Sequence, residues 1–284
     1  MKNNILSIQS QVASGFVGNN VAEFAIQLHG VNVVALPTVI LSTHTDHDIF
    51  YGEDIAPILF QNLIKGIKSI PVYKDIQCVI SGYINSKEII DITSKFINAW
   101  KNDNEKSVYV YDPVFGDVRT NGLYIQKDVV SASIARLLPI CDILTPNQFE
   151  LEYILQSRIT SELELLKRVN NHPLLSGQQV ILTSALLADT PDDVVETILL
   201  SNGEIERFRV RKIPIDVVGT GDLFTAIVSA QLNLGEHIHT AIEQAMVFIA
   251  DVLENVHSLG LKEMDALTLI RSRESRLQRL YECN

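Results

Sequence analysis

Late in the chain, Gly219-Thr220-Gly221-Asp222 sets two glycines and a carboxylate directly before an apolar run. Leu223, Phe224, Ala226, Ile227, Ala230 and Leu234 then keep a helical spacing, so the tetrad stands at a helix N-terminus. Glycines there let backbone N–H groups converge without a side chain in the way, and the helix dipole adds partial positive charge. Such a nest can hold a phosphoryl group in transfer, with Asp222 in reach of the attacking hydroxyl and able to accept its proton. A carboxylate with an ordinary pKa of about 3.9 is a weak base for an alcohol. For phosphoryl transfer this matters little, because the transition state is loose and positioning and charge supply most of the rate. The plainer role of an Asp before an apolar helix is a cap, and both readings stand at this level.

Two further segments carry chemistry. In Thr145-Pro146-Asn147-Gln148-Phe149-Glu150, Asn147 and Glu150 are three apart and fall on one helical face, where they can hold a hydrated Mg²⁺ beside phosphates. The same residues also fit an ordinary strand–helix junction with Pro146 at its start. In Tyr111-Asp112-Pro113-Val114-Phe115-Gly116-Asp117, Asp112 can order magnesium or its water, or simply initiate a turn before proline. The pattern G-x-x-x-x-G-K-[ST] is absent, which argues against a Walker-type nucleotidase.

Short β-rich runs alternate with helix-period segments, the pattern of a mostly parallel sheet covered by helices. Strands are predicted at Asn4–Ile8, Asn32–Leu36, Gln77–Ile80, Ser107–Tyr111, Asp142–Leu144 and Gln179–Thr183. Helices are predicted at Gly18–His29, Glu53–Lys68, Lys87–Trp100, Val129–Leu138 and Ser161–Asn170, with Gly30 as a C-cap. Val194–Val210 reads as a hairpin around Asn202-Gly203. From Asp222 onward the chain reads as helical, ending in a polar, solvated and frayed tail from about residue 271. No repeat, linker or composition shift divides residues 1–284, so a single domain is expected. Ser10, Ser81-Gly82-Tyr83, Asp112-Pro113, Thr145-Pro146-Asn147 and Thr183-Ser184 all close predicted strands. The carboxyl edge of a parallel sheet is where ligands bind.

The bulk composition narrows the class. With 34 acids against 23 bases the formal charge is −11, which argues against non-specific nucleic-acid binding. Local helix N-termini, a metal ion and a few cations can still attract an anionic nucleotide. Cys78, Cys141 and Cys283 are far apart and lack C-x-x-C spacing, which fits reduced thiols in a cytoplasmic protein. No apolar stretch approaches the roughly 20 residues that span a bilayer, and the first residues do not form a signal-peptide core.

In combination these motifs resemble the ribokinase-like superfamily, and within it the pyridoxal kinase branch. The collinear matches run from Ile8-Gln9-Ser10-Gln11-Val12 and Gly15-Phe16-Val17-Gly18-Asn19 through Thr38–Ser42, Phe50-Tyr51-Gly52, Ser81-Gly82-Tyr83 and Asp112-Pro113-Val114. They end in Thr145–Glu150, Thr183-Ser184 and Gly219–Phe224. The resemblance implies a three-layer α-β-α sandwich and an ATP- and Mg²⁺-dependent kinase acting on a B6 vitamer. It implies that Ser10 bonds the polar edge of a pyridine ring walled by Val17, Leu41 and Tyr83, with Thr45 and Asp46 closing the substrate side. Asp112, Thr145, Glu150, Thr183, Ser184, Lys212 and Thr220 would serve the nucleotide. Asp112, Asn147, Glu150 and Tyr124 would serve the metal, and the tetrad with Asp222 the chemistry. K⁺ or another monovalent cation near Asp112 and Thr145, and a homodimer, are further implications. Gln11 stands where many members have His, and ungapped matching puts Asp46 where some relatives use an imidazole, flanked by His44 and His47. Kinases of the same fold acting on hydroxymethylpyrimidine or sugars share the Asp-Pro, Thr-Pro-Asn and Gly-Thr-Gly-Asp elements, and a non-catalytic vitamin-binding protein would have no need of Asp222.

Overall fold

The structure is a computed structural model and describes residues 4–104, 107–117, 122–175 and 177–282. Strand β1 (Asn4–Val12) leads through helix α1 (Gly18–Leu28) to β2 (Asn32–Leu41), and a loop and short β3 (Gly52–Asp54) precede α2 (Pro57–Lys68). Next come β4 (Ile76–Ser81), α3 (Lys87–Asp103) and β5 (Val108–Tyr111), then a small ribbon of β6 (Gly116–Asp117) and β7 (Gly122–Leu123). Helix α4 (Lys127–Arg136), β8 (Ile143–Leu144), α5 (Gln148–Leu155), α6 (Glu162–Asn170) and β9 (Gln179–Leu182) follow. The hairpin of β10 (Val194–Ser201) and β11 (Glu204–Arg211) precedes α7 (Thr220–Asn233), α8 (Ile238–Ser258) and α9 (Ala266–Glu282).

Nine strands form one sheet in the order β11-β10-β9-β8-β5-β4-β1-β2-β3. From β9 to β2 all neighbours are parallel, while β3, β10 and β11 pair antiparallel at the two edges. Alternate residues feed opposite cores, as the two-residue period of a strand requires. Leu6 and Ile8, Val79, Tyr109 and Tyr111, Leu144, Val180 and Leu182 pack with Phe60, Ile90, Trp100, Val130, Leu151 and Leu165. Ile5, Cys78 and Ile80, Val110, Ile143 and Ile181 pack with Val21, Ala25, Leu223, Ile227, Ala245 and Phe248. The expected three-layer sandwich with a mostly parallel sheet is therefore present.

Several boundaries differ from the sequence reading, each for a physical reason. β2 continues through Pro37 to Leu41, and its register with β1 shifts between Gln9 and Gln11 at that point. Pro37 has no N–H to give the ladder, so the strand bulges there instead of ending. The helix expected from Glu53 begins at Pro57, with Glu53 and Asp54 in β3 instead. Pro57 fits a first-turn position, where its missing donor costs nothing. The tail is not a solvated end as far as Arg276. Ser272 is buried and accepts from the Asn255 side-chain amide at 2.8 Å, and Arg276 Nη1 donates to the Gln244 carbonyl at 2.8 Å. Those contacts lay this part of α9 against α8. Cys78 and Cys141 are free and buried, as expected of reduced thiols; Cys283 lies outside the described residues. No helix among the described residues is long and apolar enough to cross a membrane.

Candidate active site

The parallel strands bring their polar ends to one edge. Gly82 N–H donates to the Ile8 carbonyl, Asp112 N–H to Ser81, Thr145 N–H to Tyr111 and Thr183 N–H to Pro146, all at 2.9 to 3.1 Å. Thr183, Thr145, Asp112, Gly82 and Ser10 thus follow one another across β9, β8, β5, β4 and β1. At the usual strand spacing, four steps span roughly 19 Å. That length suits a nucleotide triphosphate laid end to end with a small acceptor.

The Gly219 tetrad stands beside this edge. Gly219 caps α7 with φ +86°, a left-handed conformation that favours glycine. A side chain there would also overlap the Phe16 carbonyl oxygen. Leu223 N–H is the first to reach back into the helix, to the Gly219 carbonyl at 3.0 Å. The N–H groups of Thr220, Gly221 and Asp222 therefore belong to the first turn, which has no intrahelical acceptors. A Cβ at Gly221 would meet nothing within 4 Å among the described residues, so this turn is open to a ligand. Asp222 is partly buried, and its Oδ2 accepts from Gly18 N–H at 2.8 Å. Burial raises its pKa to about 6, against the lowering effect of that hydrogen bond. The carboxylate is a stronger base than an exposed Asp, and one of its oxygens is fixed by Gly18.

Gly18 was absent from the residues singled out for chemistry, and the structure makes it essential to them. It holds φ +52° at the start of α1, where a Cβ would run into Ser10 Oγ and the Ser10 carbonyl. One glycine thus joins the Asp222 carboxylate to Ser10, the residue expected at the pyridine ring. Gln11, the departure from the common His, donates its amide to Asn20 Oδ1 at 2.6 Å, and Asn20 in turn pairs with the Val12 backbone. Its observed role is to hold the end of β1 against α1.

On the nucleotide side, Asp112 is buried and accepts from Thr225 Oγ1 at 2.8 Å, while Thr145 Oγ1 and Thr225 Oγ1 lie 3.0 Å apart. Burial, then the Glu150 and Asp222 carboxylates, push the Asp112 carboxyl well above the usual range. Thr225, one turn after Asp222 on α7, was also missed. Its signal was a lone hydroxyl in an apolar helix, on the same face as Asp222. Glu150 is buried too, and burial pushes it upward against backbone donors from Asn147, Phe115 and Gly116.

The pair Asn147 and Glu150 does not form an open metal-binding face. Asn147 is the N-cap of α5 and Glu150 its third residue, and each side chain bonds the other's backbone in a capping box. Asn147 Nδ2 also donates to the Gly116 carbonyl at 2.8 Å, and Glu150 Oε1 accepts from Phe115 N–H at 2.9 Å. The two buried carboxylates of Asp112 and Glu150, both pushed upward first by burial, remain a donor set suited to a hard cation such as Mg²⁺. Asn147 serves that set by orienting Glu150. Thr183 Oγ1 donates to the Pro146 carbonyl at 3.2 Å, Ser184 is exposed at φ +49°, and Lys212 is exposed just past β11.

A cavity of about 520 Å³ opens beside β2 and β3, lined by Leu41, Thr45, Phe50, Tyr83, Tyr124 and Asn85 among others. Leu41, Thr45 and Tyr83, expected on the substrate side, are among the lining residues. Tyr124, expected with the metal, lines this cavity instead, because the β6–β7 ribbon returns the chain toward β2 and β4. Val17 packs at the Gly219 position, and its Cγ1 would stand 3.2 Å from a Cβ there. Asp46 is exposed on the β2–β3 loop and is not among the lining residues. His44 and His47 turn toward Glu263 rather than into the cavity.

The family model for phosphomethylpyrimidine kinase matches residues 25–266. The chain belongs to this family. Within the family it is similar to pyridoxal kinases. That of Leifsonia xyli subsp. xyli is 31% identical over 270 residues, 95% of this chain and 94% of the relative. The human pyridoxal kinase is 31% identical over 241 residues, covering 80% of this chain and 76% of its own. The structure of pyridoxal kinase from Leishmania donovani in complex with ADP and pyridoxamine aligns with a TM-score of 0.83 at 27% identity, over 97% of this chain and 96% of that one.

Proposed function

We propose that this protein is a pyridoxal kinase that moves the γ-phosphoryl group of ATP to the 5′-hydroxymethyl of pyridoxal, and also accepts pyridoxine and pyridoxamine. The observation that carries the reading is the Asp222 carboxylate, held by Gly18 N–H at the open first turn of α7. The new O–P bond forms at the vitamer hydroxymethyl oxygen, the bond to the β-phosphate oxygen breaks, and the hydroxyl proton passes to Asp222. N–H groups of Thr220, Gly221 and Asp222 hold the transferring group. Asp112 and Glu150 would hold Mg²⁺ directly or through its waters, and the ion when bound would neutralise phosphate charge. Thr145, Thr183, Ser184 and Lys212 flank the nucleotide, and a monovalent cation near Asp112 and Thr145 belongs to the same reading. Ser10 bonds the ring's polar edge, with Leu41, Thr45 and Tyr83 around it.

Hydroxymethylpyrimidine is the second substrate to test, because the matching family model is that of phosphomethylpyrimidine kinase and this pyrimidine shares with the vitamers a hydroxymethyl on a flat heteroaromatic ring. ADP release measured with ATP, Mg²⁺ and each of pyridoxal, pyridoxine, pyridoxamine and hydroxymethylpyrimidine ranks them by kcat/KM. Pyridoxal should lead; turnover confined to hydroxymethylpyrimidine or a sugar would overturn the assignment. We also propose that the chain acts in the cytoplasm as one domain and as a homodimer. The exposed apolar side chains Ile58, Leu59 and Leu63 on α2 are the natural surface to bury.

A further inference from the structure

Away from the acid cluster, the β2–β3 loop and the turn between α8 and α9 meet at three side chains. His44 and His47 are three apart, and His47 N–H donates to the His44 carbonyl at 3.3 Å, so one tight turn puts both imidazoles on the same side. Their rings lie 4.4 Å apart, centre to centre. Glu263 comes from the other element and meets both with a single oxygen. His44 Nε2 is 3.4 Å and His47 Nε2 3.2 Å from Glu263 Oε1. One ligand atom from each residue lies within 4.8 Å of the others.

The His44 ring is the informative member. Its side chain is only 9% exposed, and neither ring nitrogen has a hydrogen-bond partner among the described residues, although Nε2 approaches Glu263. A buried imidazole left without partners costs free energy and calls for a reason. At 3.4 Å and without hydrogen-bond geometry, its approach to Glu263 is too loose to satisfy it. The two His–Glu distances do match another arrangement, with all three ligand atoms within 4.8 Å of one another. Ligands bound at 2.0–2.1 Å to a tetrahedral ion lie roughly 3.3–3.4 Å from one another along each edge. Two imidazoles and one carboxylate form a set that suits zinc and its neighbours, whereas Mg²⁺ prefers oxygen and water.

We propose that His44, His47 and Glu263 form a three-ligand site for a divalent transition-metal ion of the zinc class. His47 and Glu263 are 45% and 42% exposed, which opens a path for entry and leaves the fourth position to water. The location gives the ion a structural consequence. A Cβ at Gly15 would stand 3.2 Å from His44 Cδ2, so the ring rests on the β1–α1 loop that supplies Gly18. Met264, next to Glu263, reaches within 3.3 Å of a Cβ at Gly219. The ion would therefore tie the loop bearing Thr45 and Phe50 to the turn that supports the Gly219 nest.

The test uses the full chain, stripped with a chelator and titrated with Co²⁺ in millimolar Mg²⁺, so that oxygen-rich sites are occupied. The wild type should retain one equivalent of Co²⁺ with the visible absorption of a tetrahedral centre, and Zn²⁺ should displace it. His47→Ala and Glu263→Gln alter exposed side chains, and each should lose both the equivalent and the band. Asp112→Asn should keep them. Absence of retained Co²⁺ in the wild type would overturn the site, leaving only a loosely paired His–Glu cluster. Retention that survives His47→Ala and Glu263→Gln, or that vanishes with Asp112→Asn alone, would overturn it as well, by placing the ion elsewhere. The readout needs no turnover, so its outcome is independent of the kinase assignment.

Discussion

The two ends of the cleft are built in opposite ways. The end proposed for phosphoryl transfer is made of backbone: Gly219 and Gly18 in left-handed conformations, helix N–H groups, and carboxylates locked by Thr225, Phe115 and Asn147. The acceptor end is made of side chains on an exposed loop, where Ile49 is 72% and Tyr51 77% exposed at the sheet's short edge. In the proposed reading, chemistry common to many acceptors is preorganised in the buried half, and choice among acceptors is left to a loop that is cheap to vary.

The largest break in this contrast should come from Gly219→Ala. The new methyl must displace the Phe16 carbonyl and holds a strained φ, so the nest moves. A misplacement of this kind should lower kcat by roughly tenfold to a hundredfold, with a smaller change in vitamer KM. A KM effect alone would mean that the turn does not hold the transferring group. Thr225→Val comes next. It leaves Asp112 without its donor in a buried site, which should cost about 1–3 kcal/mol of stability in a denaturant titration. An unchanged midpoint would show that Asp112 needs no such donor. On the acceptor side, Ser10→Ala should raise KM for pyridoxal a few-fold to roughly tenfold, the equivalent of about 1 kcal/mol, with kcat nearly unchanged. A kcat loss as large as that of Gly219→Ala would erase the distinction between the two ends.

The same contrast explains what the sequence could disclose. Helix α7 and its tetrad were readable because glycines, an Asp and an apolar period each carry local information. The parallel sheet was readable from its alternating β-rich and helical runs, and the edge assembly followed from topology. Pro37 inside β2 hid half of that strand, since a bulge cannot be told from a strand end by residue type. Asn147 and Glu150 carried the spacing of a metal face and of a capping box at once, and only the bonds to Gly116 and Phe115 separate the two. Gly18 and Thr225 act through partners 204 and 113 residues away, a separation no local pattern encodes. The β2–β3 loop was least readable, because only the fold shows that His44 and His47 face Glu263 while Thr45 faces the cavity.

The central claim is that Asp222 takes the proton, and Asp222→Asn tests it while preserving an oxygen for Gly18 N–H. The pKa of Asp222 is raised from 3.8 to about 6 on folding, so its protonated form is the one stabilised in the native protein. That contribution is complete below the unfolded value and is lost as pH rises through the folded one. The neutral Asn variant should therefore gain Tm over the wild type as pH climbs from about 4 to 7, with the two converging in acid. On the same sample, measured at neutral pH, kcat for pyridoxal should fall about 10²- to 10⁴-fold while ATP still binds. Near-normal turnover with intact ATP binding would contradict the account and remove Asp222 from the reaction.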